Sequence, residues 1–189
     1  MKKPLHDSTA FTSPIGTDGR EACPNCWTAV CTRPRSEKKL AAELARQGVE
    51  VYVPSQMQMH TWSDRRKLVE TIVIPMTVFV RVADSALASI RRNPLVLQFV
   101  AYPGKREPAR IPDEQIRQLR YVLGQSDIPV TFNPGLITSQ DKVRVARGQF
   151  MGLCGKVTEA RDGSVDIMVE IDCLGGARLT ISRNDLETV

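Results

Sequence analysis

The sequence predicts an α+β protein: an antiparallel sheet dressed with helices, then a small β-barrel. Three observations predict this. Over residues 27–124, short alternating strands are interleaved with apolar stripes at helical spacing. Residues 125–139 lose all period. From 140 onward only short alternating strands and glycine turns remain. The first block reads as two layers around an antiparallel sheet, the second as a small barrel that closes its own edges.

Each element has a local reason. Residues 1–26 are rich in Ser, Thr, Pro and Gly up to 22, and read as a disordered leader. Trp27–Thr32 is a strand ended by Pro34, and Ser36 is placed to cap a helix. Leu40, Ala41, Leu44 and Ala45 form one apolar stripe over 37–47, and Gly48 supplies a left-handed stop. Val49–Val53 alternates as a strand. Residues 56–74 read as a long hairpin, with Met57, Met59 and Thr61 alternating against Gln58, His60 and Trp62. Its tip is Ser63-Asp64-Arg65-Arg66-Lys67. Val78-Phe79-Val80 is apolar throughout, as a central strand should be. Asp84 is placed to cap a short helix carrying Leu87 and Ile90, which Asn93-Pro94 ends. Leu95–Tyr102 is a further strand. Pro112-Asp113-Glu114 opens a last helix, with Ile116, Leu119 and Leu123 on one face and Gly124 at its end. Pro129 and Asn133-Pro134-Gly135 mark the linker, and about five short strands follow.

Composition narrows the function. The chain has 189 residues and 42% apolar content, enough for one large or two small cores. No apolar run approaches the roughly 18 residues of a membrane span, and the leader lacks a secretory apolar region, so a cytoplasmic protein is expected. The net charge of +5 is uneven: up to residue 139, 19 Lys/Arg face 13 Asp/Glu, whereas the tail has seven against eight. A basic front block suits a polyanion or an acidic partner. Five cysteines without an export signal are expected to be reduced. Cys23-Pro24-Asn25-Cys26 is one half-site of a zinc or redox motif, but no second half follows, and His6 and His60 stand alone. No metal and no cofactor is expected. No catalytic constellation is visible: Asp113-Glu114 is explained by a helix first turn, and the glycine turn near Gly155 lacks a Walker ending. A non-enzymatic protein is expected.

Within the tail, V-x-V followed by G-x-F-x-G-x-x-G-x-V, from Val143 to Val157, resembles a KOW motif. Upstream, several strings occur in order: Trp27 opening a strand, Arg33-Pro34-Arg35-Ser36-Glu37-Lys38-Lys39, Gly48–Pro54, Ile74-Pro75-Met76-Thr77-Val78-Phe79-Val80, Val96–Val100 and Ile111-Pro112-Asp113-Glu114. Together with the tail they resemble the NusG family of transcription elongation factors, over 27–189. The resemblance implies a NusG-like N-terminal domain (27–124), a linker (125–139) and a KOW-type barrel (140–189). The housekeeping factor usually carries Phe-Pro-Gly-Tyr where this chain has Ile74-Pro75-Met76-Thr77. That turn is closer to specialised paralogues of the UpxY type, antiterminators of capsular polysaccharide operons.

The family's N-terminal domain binds the clamp helices of RNA polymerase through an apolar concavity. Transferred by position, the resemblance implies Cys31, Tyr52, Ile74, Pro75 and Thr77 as contacts, with Val78 and Phe79 behind. Core packing is the favoured reading for Val78, Phe79 and Trp27; for Ile74, Pro75 and Cys31 core and contact both stand. Arg65, Arg66 and Lys67 at a hairpin tip can meet phosphates, and Trp62 offers a stacking face. Arg33, Arg35, Lys38 and Lys39 extend that field. The resemblance implies that the hairpin lies near upstream-fork DNA or nascent RNA, and that the helix around Ser85–Ser89 faces the polymerase gate loop. In the tail, Phe150, Leu153 and Leu174 fall where the family's barrel meets a ribosomal protein or a termination factor, although Phe150 can equally plug the barrel. A monomer is expected, without membrane contact. The rival readings are a KOW-containing RNA- or ribosome-binding translation protein, and a zinc or thiol enzyme built on Cys23, Cys26 and Cys31.

Overall fold

The computed structural model describes residues 25–61, 65–125, 129–134, 142–161, 163–171 and 173–188. The leader up to residue 24, including Cys23 and His6, lies outside them, as do Trp62, Ser63 and Asp64. Strands β1 (Cys26–Thr32), β2 (Glu50–Tyr52), β5 (Thr77–Val82) and β6 (Val96–Phe99) form a four-stranded sheet in the order β2-β5-β1-β6. All three pairings are antiparallel. Between β2 and β5 a two-stranded ribbon projects, β3 (Ser55–Thr61) against β4 (Arg66–Ile72). Helices α1 (Glu37–Arg46), α2 (Leu87–Arg91, behind a 3₁₀ turn) and α3 (Asp113–Leu123) complete the block.

Strand alternation decides which helix covers which face. Val30, Val78, Val80 and Val82 point to one side and pack with Leu40, Ala41 and Leu44 of α1 and Ile90 of α2. Trp27, Ala29 and Phe79 point to the other and pack with Ile116, Leu119, Val122 and Leu123 of α3. β5 lies between two strands and under two helix layers, so its central run Val78-Phe79-Val80 must be apolar throughout.

The helix ends differ in part from expectation. Gly48 does take the left-handed conformation, φ +80°. Ser36 makes no side-chain cap; its hydroxyl donates to Pro34 O instead. Asp84 does not cap either. It sits inside the 3₁₀ turn and pairs with Arg110 at 2.7 Å. Cys26 is disulfide-bonded, against the expectation of reduced thiols, while Cys31 and Cys154 carry free thiols.

The second block is one antiparallel sheet of six strands, in the order β12-β8-β9-β10-β11-β7. These are β7 (Thr131–Pro134), β8 (Lys142–Val145), β9 (Cys154–Arg161), β10 (Ser164–Ile171), β11 (Gly175–Ser182) and β12 (Leu186–Thr188). β7 falls in the span read as linker: it pairs with β11 and forms one edge of the sheet. Val143, Val145, Val165, Ile167, Val169, Ile171, Leu179 and Ile181 make the core.

The two blocks share one core cluster, joined through α3. β10 is therefore buried on both faces. Val165, Ile167, Val169 and Ile171 point inward, and Met168 and Asp166 are buried on the other side. Asp166 is satisfied there by Arg178 Nε at 2.9 Å and by the Thr180 hydroxyl at 2.5 Å. Tyr121 of α3 packs edge-on against Phe150, centroids 6.2 Å apart, and its hydroxyl donates to Gln149 O at 2.5 Å. A buried amide fastens the connecting segment: Gln56 Nε2 donates to Gln125 O at 2.5 Å, and Val130 N–H donates to Gln56 Oε1 at 3.0 Å. No described helix is long and apolar enough to cross a membrane.

Candidate macromolecule-binding surface

The turn from Val73 to Thr77 links the ribbon to β5, and its backbone is unusual. Met76 has φ +57°, a left-handed conformation in which its β-carbon crowds the chain. Three contacts hold it. Glu37, the first residue of α1, is buried and accepts the Met76 N–H through Oε1 at 2.8 Å. Met76 O accepts the Thr32 N–H at 2.8 Å. The Thr77 hydroxyl donates to Pro75 O at 3.2 Å. A buried carboxylate that accepts a backbone N–H is satisfied by a charge-assisted bond. Glu37 thus ties the start of α1 to the turn. Arg35, also at positive φ (61°), lies in the neighbouring β1–α1 loop.

The five residues proposed for a polymerase contact are brought together unevenly. Cys31 pairs with Thr77 across β1 and β5, beside the turn. Burial pushes the Cys31 thiol up. Pro75 is exposed and Met76 half-buried. Ile74, only 2% exposed, and Thr77 are inside the protein, so neither reaches a partner in this arrangement. Tyr52 stacks on Phe79, centroids 6.0 Å apart. The Arg120 guanidinium of α3 lies 4.8 Å above the Tyr52 ring and 5.1 Å above Trp27, with Glu50 at 3.6 Å. The hollow beside Tyr52 is therefore occupied by the protein's own cation. The Tyr52 hydroxyl is buried without a partner. Burial pushes its pKa to about 12, with Arg120 opposing.

The ribbon presents two faces by strict alternation. Ser55, Met57, Met59 and Thr61 face the same way as Ile72, Glu70, Leu68 and Arg66, their register partners. Met57, Met59 and Leu68 are exposed on it, Met59 at 60%. Lys67 stands on the opposite face, opposite His60. Arg66 and Lys67 are exposed, as is Arg65, which is engaged by another group. Arg33 and Arg35 are exposed in the β1–α1 loop. Lys38 crosses to the ribbon and binds Glu70 at 2.5 Å, and the Ser55 hydroxyl donates to Glu70 at 2.7 Å. These two bonds lower the Glu70 pKa.

The tail residues are less exposed than a partner contact needs. Phe150, at 2% exposure, takes the buried of its two readings, Leu153 is buried at 4%, and Leu174 is half-buried against the core. Phe150 meets Tyr121 rather than solvent. Glu37, Arg120 and Gln56 carry much of the site's geometry, and sequence reasoning missed all three. Each acts on a residue at least 39 positions away, so no local pattern exposes it.

An antiparallel sheet with helices on both faces, a projecting cationic ribbon and a second antiparallel sheet define a two-sheet α+β protein. The chain belongs to the family described as transcription termination factor NusG, whose model matches residues 25–120. No curated protein matches the chain. Among solved structures it is similar to one described as domain interaction in Thermotoga maritima NusG. The identity there is 18% and the TM-score 0.48, covering 87% of this chain and 97% of that one. It is also similar to a chain of the MjSpt4:Spt5 complex in conformation B, at 19% identity and TM-score 0.31, covering 86% and 96%.

Proposed function

We propose that the protein is a transcription elongation and antitermination factor that binds the clamp helices of RNA polymerase and suppresses pausing and termination. Its role is operon-specific, of the UpxY type acting on capsular polysaccharide operons. Family membership supports the polymerase partner. The observation that carries the specialised reading is the turn Ile74-Pro75-Met76-Thr77. Where the housekeeping factor usually has glycine, this chain has a left-handed methionine fixed by Glu37. Pro75 and Met76 are the parts of that turn that reach solvent, with Cys31 beside them. Ile74, Thr77 and Tyr52 support the surface from below. Arg66 and Lys67 on the ribbon meet phosphates of upstream-fork DNA or nascent RNA, as the flanking cations do. The α2 region meets the gate loop, and the second sheet takes a ribosomal protein or a termination factor. Pausing is suppressed only if the factor binds the clamp-closed polymerase more tightly than the open one. No catalysis and no cofactor is invoked.

The test is capture of polymerase by the purified full chain, with run-through transcription on long templates. Ile74→Asp is a poor probe, because an unpaired charge at a buried position unfolds the domain. Pro75→Asp is the better one. It is expected to weaken capture by about tenfold or more, the loss of one central contact, with an unchanged melting curve. Undiminished capture removes the turn from the interface. Ribosomal RNA as the main captured species replaces this reading with the translation one.

A further inference from the structure

A cleft of about 290 Å³ opens between α3 and the second sheet. That is the small end of the range for ligand sites, about 300–1,000 Å³. The amides of Gln115 and Gln118, on one face of α3, form a wall. Val143, Gly155 and Met168 give a mostly apolar floor, and the free, half-buried Cys154 thiol lines it too. Cross-strand register sets the charge. Lys142 of β8 lies opposite Lys156 of β9, which lies opposite Met168. Register partners share a sheet face, so both ammonium groups stand on the side of α3, and like charges directly opposite one another are destabilising. Lys156 is neutralised: its ammonium donates to Glu170 Oε1 at 2.8 Å and lies 2.7 Å from Oε2. Lys142 is exposed and holds no ion pair among the described residues. The other charges described on that face have opposite charges beside them. Arg178 is bonded to Asp166, and Arg144 lies opposite Glu187 on β12. On α3, Glu114 is taken by Arg117 and by one Gln118 N–H. The second Gln118 N–H is left for a ligand.

We propose that this cleft binds a small organic monoanion, a carboxylate on a compact apolar body. Lys142 and the remaining Gln118 N–H supply donors for the carboxylate, the first of them charge-assisted. Met168 and the floor beside it receive the apolar body. One unmatched cation selects one negative charge. A dianion such as a phosphate monoester leaves a second charge unanswered, and Glu170 in the same cleft repels it. A small hydrophilic anion covers none of the apolar lining, so burial adds nothing to its affinity. The ligand also offsets the repulsion that the register builds in, because it answers Lys142 as Glu170 answers Lys156. One wall belongs to α3 and the floor to β8, β9 and β10. A bound ligand therefore favours the state in which the two blocks touch.

The test titrates the full chain with 3-phenylpropionate by calorimetry. Beside it stand 3-phenylpropionamide, which has the same body without the charge, and propionate, which has the charge without the ring. 3-Phenylpropionate is expected to bind with a Kd of about 1 mM or tighter, as a ligand of this size can. The other two are expected to bind about tenfold more weakly or worse, one for the lost charge-assisted bond and one for the lost apolar contact. Lys142→Gln is expected to weaken 3-phenylpropionate by about fivefold or more, and Lys142→Arg to retain it. Lys142 is exposed, so neither change should disturb the fold, and thermal melting of the ligand-free variants checks this. Iodoacetamide labelling of Cys154 is expected to slow several-fold when ligand is bound, with labelling of Cys31 unchanged. Absence of 3-phenylpropionate binding overturns the site. So does binding that Lys142→Gln leaves unchanged, or that leaves Cys154 labelling as fast as before. Equal binding of the amide overturns the choice of an anion, and equal binding of propionate overturns the apolar body. Polymerase capture does not enter, so failure on any of these counts leaves the elongation-factor reading standing.

Discussion

Met76 shows how one residue departs from local preference and is held there. A side chain at φ +57° costs about 1–2 kcal/mol relative to the right-handed region. Such strain persists only where the surroundings over-determine it, and here Glu37 and Thr32 each bond one of the two peptide units that flank the Met76 α-carbon. A β-branched residue fits this conformation worse still. Met76→Val is expected to destabilise the protein by about 1–2 kcal/mol in urea unfolding. Met76→Gly is expected to stay within about 0.5 kcal/mol, because relief of strain is offset by a freer unfolded chain. Equal effects of the two would show that backbone conformation is not what matters there. Tyr52 makes a second case. Its folded pKa of about 12 exceeds the ordinary phenol value of about 10 because burial disfavours the phenolate. A raised pKa means stability that is full below the unfolded value and lost as pH rises through the folded one. Wild-type stability should therefore fall between about pH 10 and 12. Tyr52→Phe should flatten that fall and match or exceed wild-type stability at neutral pH, since the hydroxyl it removes is buried and unpartnered. Ionisation of Tyr52 near pH 10 in a difference titration against Tyr52→Phe would contradict this.

At the scale of elements, β10 and β11 show how a strand comes to be buried on both faces. Met168 points away from the sheet's own core, toward α3, and its side chain fills the space above Gly176, while its backbone carbonyl lies over Gly155. A β-carbon at Gly176 would come within 2.4 Å of Met168 Cγ and 2.9 Å of Val169 O. The side chain can yield, but the backbone oxygen cannot. Gly176→Ala is expected to cost about 1–3 kcal/mol, as overpacking does. A double-mutant cycle with Met168→Ala should show coupling of about 0.5 kcal/mol or more, because the two changes share one contact. Additive effects in thermal unfolding would mean that the crowding lies elsewhere. The first block's elements were easier to foresee. β1, α1, β5 and α3 fall within a residue or two of their expected bounds, because apolar period and Gly or Pro stops act locally. Ser36 and Asp84 failed as caps because each had a competing contact: the Pro34 carbonyl near by for one, and Arg110 across the fold for the other.

At the scale of the whole molecule, the decisive fact is that α3 serves two sheets at once. One side closes the core around Trp27, Ala29 and Phe79. The other meets Phe150 and β10 of the second sheet. In the span 125–139, read as a linker, Thr131–Pro134 form β7, and Gln125 and Val130 are bonded to Gln56. This explains why exposure was the least legible property of the site. Phe150 and Leu153 look like loop anchors in one dimension, but α3 lies against their loop. Tyr52 reads as an open contact, but Arg120 covers it. By itself the sequence determined the helices, the strands apart from β7, the α+β class and the placing of cations on the ribbon and in the β1–α1 loop. Those depend on period, turn chemistry and charge within a few residues. Only the tertiary structure decided which of these residues face solvent, that Glu37 secures the left-handed turn, and that the two sheets share a core. Those depend on contacts between segments far apart in the chain, which burial of apolar surface selects and local preference cannot encode.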